Sequence, residues 1–209
     1  RSFFSKQILI ESLKISTEAL RIKDFISFIR VFNRSPELYL LEKIIDKGFL
    51  IANIKLNFDK SGNIKNDYQI TGLVKDTNIN ILKKYKIKKL SFDYDYKKEN
   101  LNLEGLSFLF NDLKLNSKKI SVNNLKNEFI IKGELNNSDT KLNNKDLKLL
   151  LKPYIQDLNI IKIDFNSNNQ FSFKINKKFQ FKDLEWNSNI ELNELSLLNQ
   201  LNLKKFFPK

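Results

Sequence analysis

From position 49 onward, apolar and polar residues alternate along the chain with a period of two. This alternation is typical of β-strands that bury one face and expose the other. Residues 52–58 show it first, and residues 68–74 show it again after a turn-forming stretch of Asp, Lys, Ser, Gly and Asn at 59–63. The β-rich part of the chain is therefore predicted to begin with an antiparallel strand pair.

The next strand pair contains a change in the parity of its apolar positions. Residues 90–96 place apolar side chains at even positions, a polar turn follows at 97–100, and residues 101–103 return on the same face. At Gly105 the apolar positions change from odd to even, which predicts a β-bulge that bends the strand and keeps one face apolar. The apolar face predicted for this segment comprises Leu90, Phe92, Tyr94, Tyr96, Leu101, Leu103, Leu106, Phe108 and Phe110.

The second half of the chain continues the alternation in shorter runs. Phe171, Phe173 and Trp186 are assigned to the same apolar face as the preceding set. Mainly antiparallel β structure is thus predicted, with strands in roughly half of the residues. Separate strands of about five to eight residues are predicted around positions 113–115, 120–122, 129–135, 161–165, 171–175, 179–181, 184–186, 190–192 and 195–197.

Three segments depart from this period and follow the spacing of a helix. The first is predicted at 24–32. The second is predicted at 36–46, where Ser35 suits the N-cap and Pro36 the first helical position. A third short helix is predicted in mid-chain at 144–152. The first two either close one end of the sheet or are insertions between strands, and the sequence leaves both interpretations open.

A short motif, Asp-Leu-x-(Leu/Trp)-Asn-Ser, occurs at 112–117 and again at 183–188. A separation of about 70 residues suits an array in which each unit buries its apolar face against the next. We therefore expect both copies to adopt the same strand–turn–strand path, although a chain rich in Leu, Lys and Asn also gives such matches by chance. The repeat spacing and the helical segments together predict three parts of the chain. These are a strand plus helical segment at 1–48, a first β unit or units at 49–143, and a truncated second repeat at 144–209.

The composition disfavours most enzyme chemistry. The chain contains no Cys and no His, which removes the usual zinc sites, thiolate nucleophiles and Ser-His pairs. Its five Gly are not spaced as a phosphate-binding loop. Asp93 and Asp95 are the best remaining pair of carboxylates, and they fall on the predicted polar face among Lys residues. No catalytic residue, metal site or cofactor is therefore expected.

The formal net charge is +13, with 37 Lys and Arg residues spread along every segment. A basic surface attracts nucleic acid or anionic lipid. A platform for single-stranded nucleic acid needs aromatic and basic side chains on one surface. Here Phe92, Tyr94 and Tyr96 alternate onto the face opposite to the charges, so nucleic acid is disfavoured as a partner. The chain starts at Arg1, lacks Met and has no apolar run near 18 residues, and we expect a segment of a longer protein with any membrane anchor elsewhere.

A sheet that is apolar on one side needs a cover for that side. A second sheet would give a closed sandwich or barrel, as in a structural scaffold or adhesin. Helices are too few to cover ten or more strands. An open, strongly curved sheet would instead hold an apolar occupant such as acyl chains, because several hundred Å² of exposed apolar surface costs many kcal/mol at about 25 cal/mol per Å².

The strand pair at 49–75 with its turn, and the two copies of the Asp-Leu motif, resemble the AsmA-like proteins of Gram-negative envelopes, the group that includes TamB and YhdP. The resemblance runs from about Leu20 onward and is one of pattern and repeat length. It implies a repeating β-groove, a taco-shaped antiparallel sheet with an apolar lining. It also implies a periplasmic location, anchorage in the inner membrane through sequence outside this segment, other envelope proteins as partners, and a groove that carries phospholipid acyl chains toward the outer membrane.

Overall fold

The computed structural model describes residues 10–32, 36–81, 85–125, 128–151, 160–176, 178 and 180–197. These residues form a single open antiparallel sheet of ten strands, accompanied by three short helices. The predicted fold class, a mainly β open sheet with two helices near the start and one in mid-chain, is confirmed. Strands make up most of the described residues, which exceeds the predicted half.

The helices lie close to their predicted positions: α1 spans Ile22–Phe32, α2 Pro36–Ile44 and α3 Asn144–Leu151. Two short strands precede α1, and eight long strands follow α2. The strands are β1 (Ser12–Ser16), β2 (Leu20–Arg21), β3 (Ile45–Asn57), β4 (Gln69–Ile81), β5 (Tyr85–Lys97), β6 (Asn100–Phe110), β7 (Leu113–Leu125), β8 (Glu128–Asn143), β9 (Ile160–Asn176) and β10 (Phe181–Leu197).

The sheet is a meander in which β3 to β10 lie side by side in chain order. β1 pairs with the free side of β3, and β2 also pairs with β3. Among the described residues, substantial contact between strands occurs only between hydrogen-bonded neighbours, so no second sheet covers either face. The sandwich considered from sequence is therefore not the arrangement of this part of the chain.

The long strands correct the prediction of many short ones. Positions 113–115 and 120–122 both belong to β7, and positions 161–165 and 171–175 both belong to β9. The three short strands predicted between 184 and 197 are all part of β10. Polar stretches rich in Asn, Ser and Lys resemble turns in sequence, but here they lie in mid-strand, where ladder hydrogen bonds to neighbouring strands satisfy their backbone groups.

The two copies of the Asp-Leu motif do not share one strand–turn–strand path, and that prediction is wrong. The copy at 112–117 leads into β7 and the copy at 183–188 lies in β10, each within a continuous strand. Because all neighbouring strands between β7 and β10 are antiparallel, the two strands run in opposite directions. Residues 85–125 form three strands, whereas residues 160–197 form two longer ones.

A line of β-bulges crosses the sheet near the middle of its long strands. Gly48, Asp76, Lys89, Gly105 and Asp139 have positive φ angles in β3, β4, β5, β6 and β8 respectively. The bulge predicted at Gly105 is confirmed, since its φ is +60° and the pairing of β5 with β6 shifts register between Glu104 and Ser107. We call this line of bulges the crease.

The sheet folds at the crease toward its apolar face. Thr77, Leu106 and Ser117 lie on that face next to the crease and are only 2%, 6% and 3% exposed, although no other layer covers most of the sheet. On the opposite side of Gly105 there is open space, because a Cβ added there would meet nothing within 4 Å. Buried side chains inside and open space outside are the features of a sharp bend. The apolar face on the inside of this bend is called the trough below.

Helices α1 and α2 cover one end of the trough. Ile22 and Ile26 of α1 form a buried cluster with Ile45 and Leu50 of β3. Val74, Ile79 and Tyr94 of the trough pack against the same cluster, together with Phe25, Leu38 and Ile44 of the two helices. Of the two interpretations left open by the sequence, the structure favours an end cap.

The crease gives a test of backbone conformation at Gly105. A side chain at this position would meet no neighbouring atom, so there is no steric reason for a glycine here. The constraint on the residue is its backbone φ of +60°, which is in the left-handed region. We expect Gly105→Asn to change the free energy of unfolding little, because Asn tolerates this conformation, and Gly105→Val to lower it by about 1–2 kcal/mol. Urea unfolding of both variants measures this. Equal losses would show that the left-handed conformation is not the constraint.

Candidate functional site

The registers of the sheet align apolar side chains from strand to strand along the trough. Val74 of β4 lies opposite Phe92 of β5. Tyr94 of β5 lies opposite Leu103 of β6, and Leu103 lies opposite Ile120 of β7. The row continues through Val122 and Ile131 to Phe173 of β9. Directly opposed residues in antiparallel strands share a face, so these residues form one apolar surface across the sheet.

All the site residues predicted from sequence share this surface. Leu106 is buried at the crease, and Trp186, on the last strand, is 54% exposed. That these side chains contact lipid stays a prediction. The remaining members are half-buried, as is typical of an open face: Leu90, Phe92, Tyr94, Tyr96, Leu101, Leu103, Phe108, Phe110, Phe171 and Phe173.

Aromatic rings concentrate at the β9–β10 end of the trough. Phe171 stacks on Phe173 with ring centroids 5.8 Å apart, and it stacks on Trp186 at 6.0 Å. Phe181 lies 5.5 Å from Phe173 in a tilted arrangement. Such pairs add to the stability given by their burial. The uncapped end of the trough therefore presents an ordered aromatic surface.

Two glycines in mid-strand let aromatic rings lie flat across the sheet. A Cβ added at Gly72 would lie 1.9 Å from the carbonyl oxygen of Ile51 and 2.8 Å from the Tyr94 hydroxyl. The Tyr94 hydroxyl donates a hydrogen bond of 3.1 Å to that same carbonyl. Burial raises the pKa of Tyr94, so its hydroxyl stays protonated and able to donate. At Gly133 an added Cβ would lie 3.1 Å from the ring of Phe171.

A network of polar side chains crosses the floor of the trough from β8 to β10. Asn137 Nδ2 donates to Thr140 Oγ1 at 2.8 Å, and Ser167 Oγ donates to Asn137 Oδ1. Asn169 Nδ2 donates to Ser167 Oγ at 2.8 Å, and Ser188 Oγ donates to Asn169 Oδ1 at 2.6 Å. Because these groups satisfy one another, an apolar occupant above them leaves few polar atoms unpaired. The alternation of apolar and polar positions did not predict this network.

The opposite face of the sheet is charged and solvated. Lys88 Nζ lies 2.8 Å from Asp112 Oδ1. Lys174 Nζ lies 2.8 Å from Asp183 Oδ2, and this hydrogen bond lowers the pKa of Asp183 and raises that of Lys174. Pairs as exposed as these contribute little to stability.

The carboxylates singled out from sequence lie on this charged face. Asp95 accepts hydrogen bonds of 2.9 and 3.0 Å from Gln69 Nε2. Asp93 is exposed and lies opposite Glu104 of β6. The structure therefore does not bring the two carboxylates together around an enclosed cavity. Within the described ranges there is no cluster of three or more His, Cys, Asp or Glu side chains that could hold a metal ion.

Comparison of the chain with family models, with curated proteins and with solved structures finds no match. In the part of the chain that the structure describes, no helix is long and apolar enough to cross a membrane. The geometry of the trough is therefore the basis for assigning a function.

The close approach at Gly72 predicts a strong local effect. We expect Gly72→Ala to lower the free energy of unfolding by about 1–3 kcal/mol, because the new Cβ meets the Ile51 carbonyl of the neighbouring backbone. Thr71→Ala is the matched control, since it places Ala in the same strand on the opposite face. Thermal or urea unfolding compares them. A Gly72→Ala variant as stable as Thr71→Ala would contradict the packing of Tyr94 across β4.

Proposed function

We propose that this chain is a segment of an AsmA-like envelope protein whose trough carries phospholipid between the inner and outer membranes. The observation that carries the proposal is the apolar row that runs from β3 to β10 inside the crease. In the described structure α1 and α2 cover it at the β3 end, and the short α3 contacts β8 and β9. The proposal includes a periplasmic location, an inner-membrane anchor in sequence outside this segment, and contacts with other envelope proteins.

Acyl chains match the chemistry of this surface. Leaving an apolar surface in water costs about 25 cal/mol per Å², and each methylene group of an occupant gains about 0.8 kcal/mol on burial. Phe181, Leu184, Trp186 and Ile190 at the β10 end are more than half exposed. An occupant that covers them with hydrocarbon removes this cost without requiring directional contacts.

The dimensions of the trough also suit acyl chains. Strands of 11 to 17 residues that rise about 3.3 Å per residue and bend near their middle give arms about 18–28 Å deep. Half of a bilayer core is about 15 Å thick, which sets the reach of one acyl chain. At about 4.8 Å between strands, the sheet provides a trough about 40 Å long. An acyl chain therefore fits within one arm with its headgroup at the rim.

One rim of the trough carries exposed lysines, interleaved with the carboxylates of Asp59, Asp67 and Glu99. The connections from β3 to β4, from β5 to β6 and from β9 to β10 all lie at the same end of their strands, because the sheet is an antiparallel meander. Exposed lysines occupy these connections and the adjoining strand ends. Their ammonium groups attract the phosphate of a headgroup held at the rim. These residues are Lys60, Lys65, Lys97, Lys98 and Lys178.

A second candidate is a β-rich scaffold or adhesin in which the apolar face is closed by further protein. It is supported by the end cap, since α1 and α2 show that helices can pack on this face. The two functions differ in whether purified protein carries lipid and in how the face tolerates substitution.

Lipid occupancy gives the direct test. We expect the purified wild-type chain to carry phospholipid detectable by mass spectrometry after organic extraction. Phe108→Asp should reduce the bound lipid at least several-fold, because a carboxylate in contact with hydrocarbon is strongly disfavoured. Ser107→Asp is the matched control, since it places the same charge one residue away on the opposite face. Wild-type protein without lipid, or equal losses in both variants, would contradict lipid binding in the trough.

Tolerance to substitution separates the trough from a closed core. In a packed core, deletion of buried methyl and methylene groups commonly costs more than about 1 kcal/mol. We expect Phe108→Leu to lower the free energy of unfolding by less than about 0.5 kcal/mol, because an open surface leaves no enclosed cavity. Ile26→Ala, under the end cap, should cost about 2–5 kcal/mol. Urea unfolding compares them. If Phe108→Leu costs more than about 1 kcal/mol and the wild type carries no lipid, the scaffold replaces the lipid carrier.

A further inference from the structure

The last strand, β10, is a long edge with an exposed apolar row. It has 17 residues, is exposed at every position from 181 to 195, and among the described residues pairs with β9 on one side only. Leu184 and Ile190 are 66% and 59% exposed. The other edge is very different, since β1 has five residues and α1 and α2 cover the adjoining face. Within the described structure, β10 carries no proline to prevent pairing with a further strand.

The residues of β10 are arranged symmetrically about Ser188. Trp186 and Ile190 lie two positions on either side of it, and Leu184 and Leu192 lie four positions on either side. The pairing with β9 shifts between Lys182 and Glu185, between Leu192 and Glu194, and a third time between Ser196 and Leu197. Lys182 and Glu194, six positions from Ser188 on either side, have opposite charges. Phe181 and Leu195 continue the symmetry at seven positions.

We propose that β10 pairs antiparallel with β10 of a second copy of this chain, on a two-fold axis through Ser188. In that register Trp186 lies opposite Ile190 of the other copy, Leu184 opposite Leu192, and Lys182 opposite Glu194. Opposed residues share a face in an antiparallel pair, so the apolar row of one copy meets the apolar row of the other. Cross-strand pairs of this kind are the interactions that stabilise a sheet.

The two-fold arrangement closes the assembly. One isologous contact uses the long edge of each copy, and of the sheet edges that the structure describes it leaves only those of the short β1 at the outer ends. The sheet of the pair contains two ten-stranded halves, and the two troughs join into one that is covered at both ends by α1 and α2. The inference goes beyond lipid carriage and does not depend on it, since the register follows from β10 alone.

The register makes one unfavourable pair, which provides a specific test. Glu185 lies opposite Glu191 of the other copy on the charged face, and the symmetry places this pair twice in each dimer. We expect Glu185→Lys and Glu191→Lys each to tighten dimerisation about tenfold at low salt, because each variant turns two repulsive pairs into attractive ones. In the variant that carries both substitutions, two lysines lie opposite each other at each of these pairs. The repulsion therefore returns, and the tighter dimerisation should be lost. Light scattering with size-exclusion chromatography measures the mass, which for the wild type should be twice the 24.7 kDa of one chain.

Disulfide trapping tests the position of the two-fold axis. The chain contains no Cys, so a single introduced Cys reports on one position. Ser188→Cys places two thiols opposite each other at about 4.5–5.5 Å between Cα atoms, which is within disulfide reach. We expect rapid formation of a covalent dimer under mild oxidation. Ser196→Cys, in the same strand, has no copy of itself opposite and should stay largely uncrosslinked.

The mass measurement, the two Glu variants and the disulfide trapping test the two-fold pairing without reference to bound lipid. A single-chain mass at tens of micromolar, or equal crosslinking of Ser188→Cys and Ser196→Cys, overturns the two-fold pairing. So does an unchanged dimer affinity in both single Glu variants. Repeating the mass measurement on delipidated protein keeps the two proposals distinguishable, because a dimer without lipid supports the pairing alone and a lipid-loaded single chain supports the carrier alone.

Discussion

The trough depends on the extra residue that strands β3 to β8 insert at the crease. In a strand, successive side chains point to opposite faces, so an offset of one residue moves every later side chain to the other face. In β6, Leu103 and Leu106 are separated by Glu104 and Gly105, and the left-handed Gly105 returns Leu106 to the apolar face. Because bulges lie in neighbouring strands at corresponding positions, the whole sheet bends together and both arms keep one continuous lining.

This bend explains why the interior of the molecule is unlike an ordinary core. Few apolar residues are fully buried, and they are concentrated at the crease and beneath α1 and α2, as with Leu106 and Ile26. Elsewhere the lining is half-exposed, and its aromatic rings are supported by backbone contacts across glycines, as Tyr94 is across Gly72. The backbone ladder therefore carries the architecture, and the side chains of the trough are left available to an occupant.

The sheet is also asymmetric along its length. The β3 end is covered by helices, whereas the β10 end carries stacked rings around Phe171 and Trp186 and a floor of hydrogen-bonded amides and hydroxyls. A sheet grows by pairing at an edge, and only one of its edges is long and apolar in the described part of the chain. Lipid carriage and two-fold pairing are both answers to the same physical problem, which is how this surface is removed from water.

The sequence by itself determined the mainly β class, the three helices, the single apolar face and the bulge at Gly105. These features are local, since they follow from period, capping residues and a glycine at a parity change. The tertiary structure decided the length of the strands and the opposite directions of β7 and β10. It also decided the crease, because Asp76, Lys89 and Asp139 adopt positive φ without the signal of a glycine. At 74–77, 87–90, 103–106 and 117–120, two mostly polar residues lie between residues that are apolar or small, whereas the stretch at 137–140 is polar throughout. In sequence such a pattern is equally compatible with a turn, and only hydrogen bonding to the strands on either side makes it a bulge.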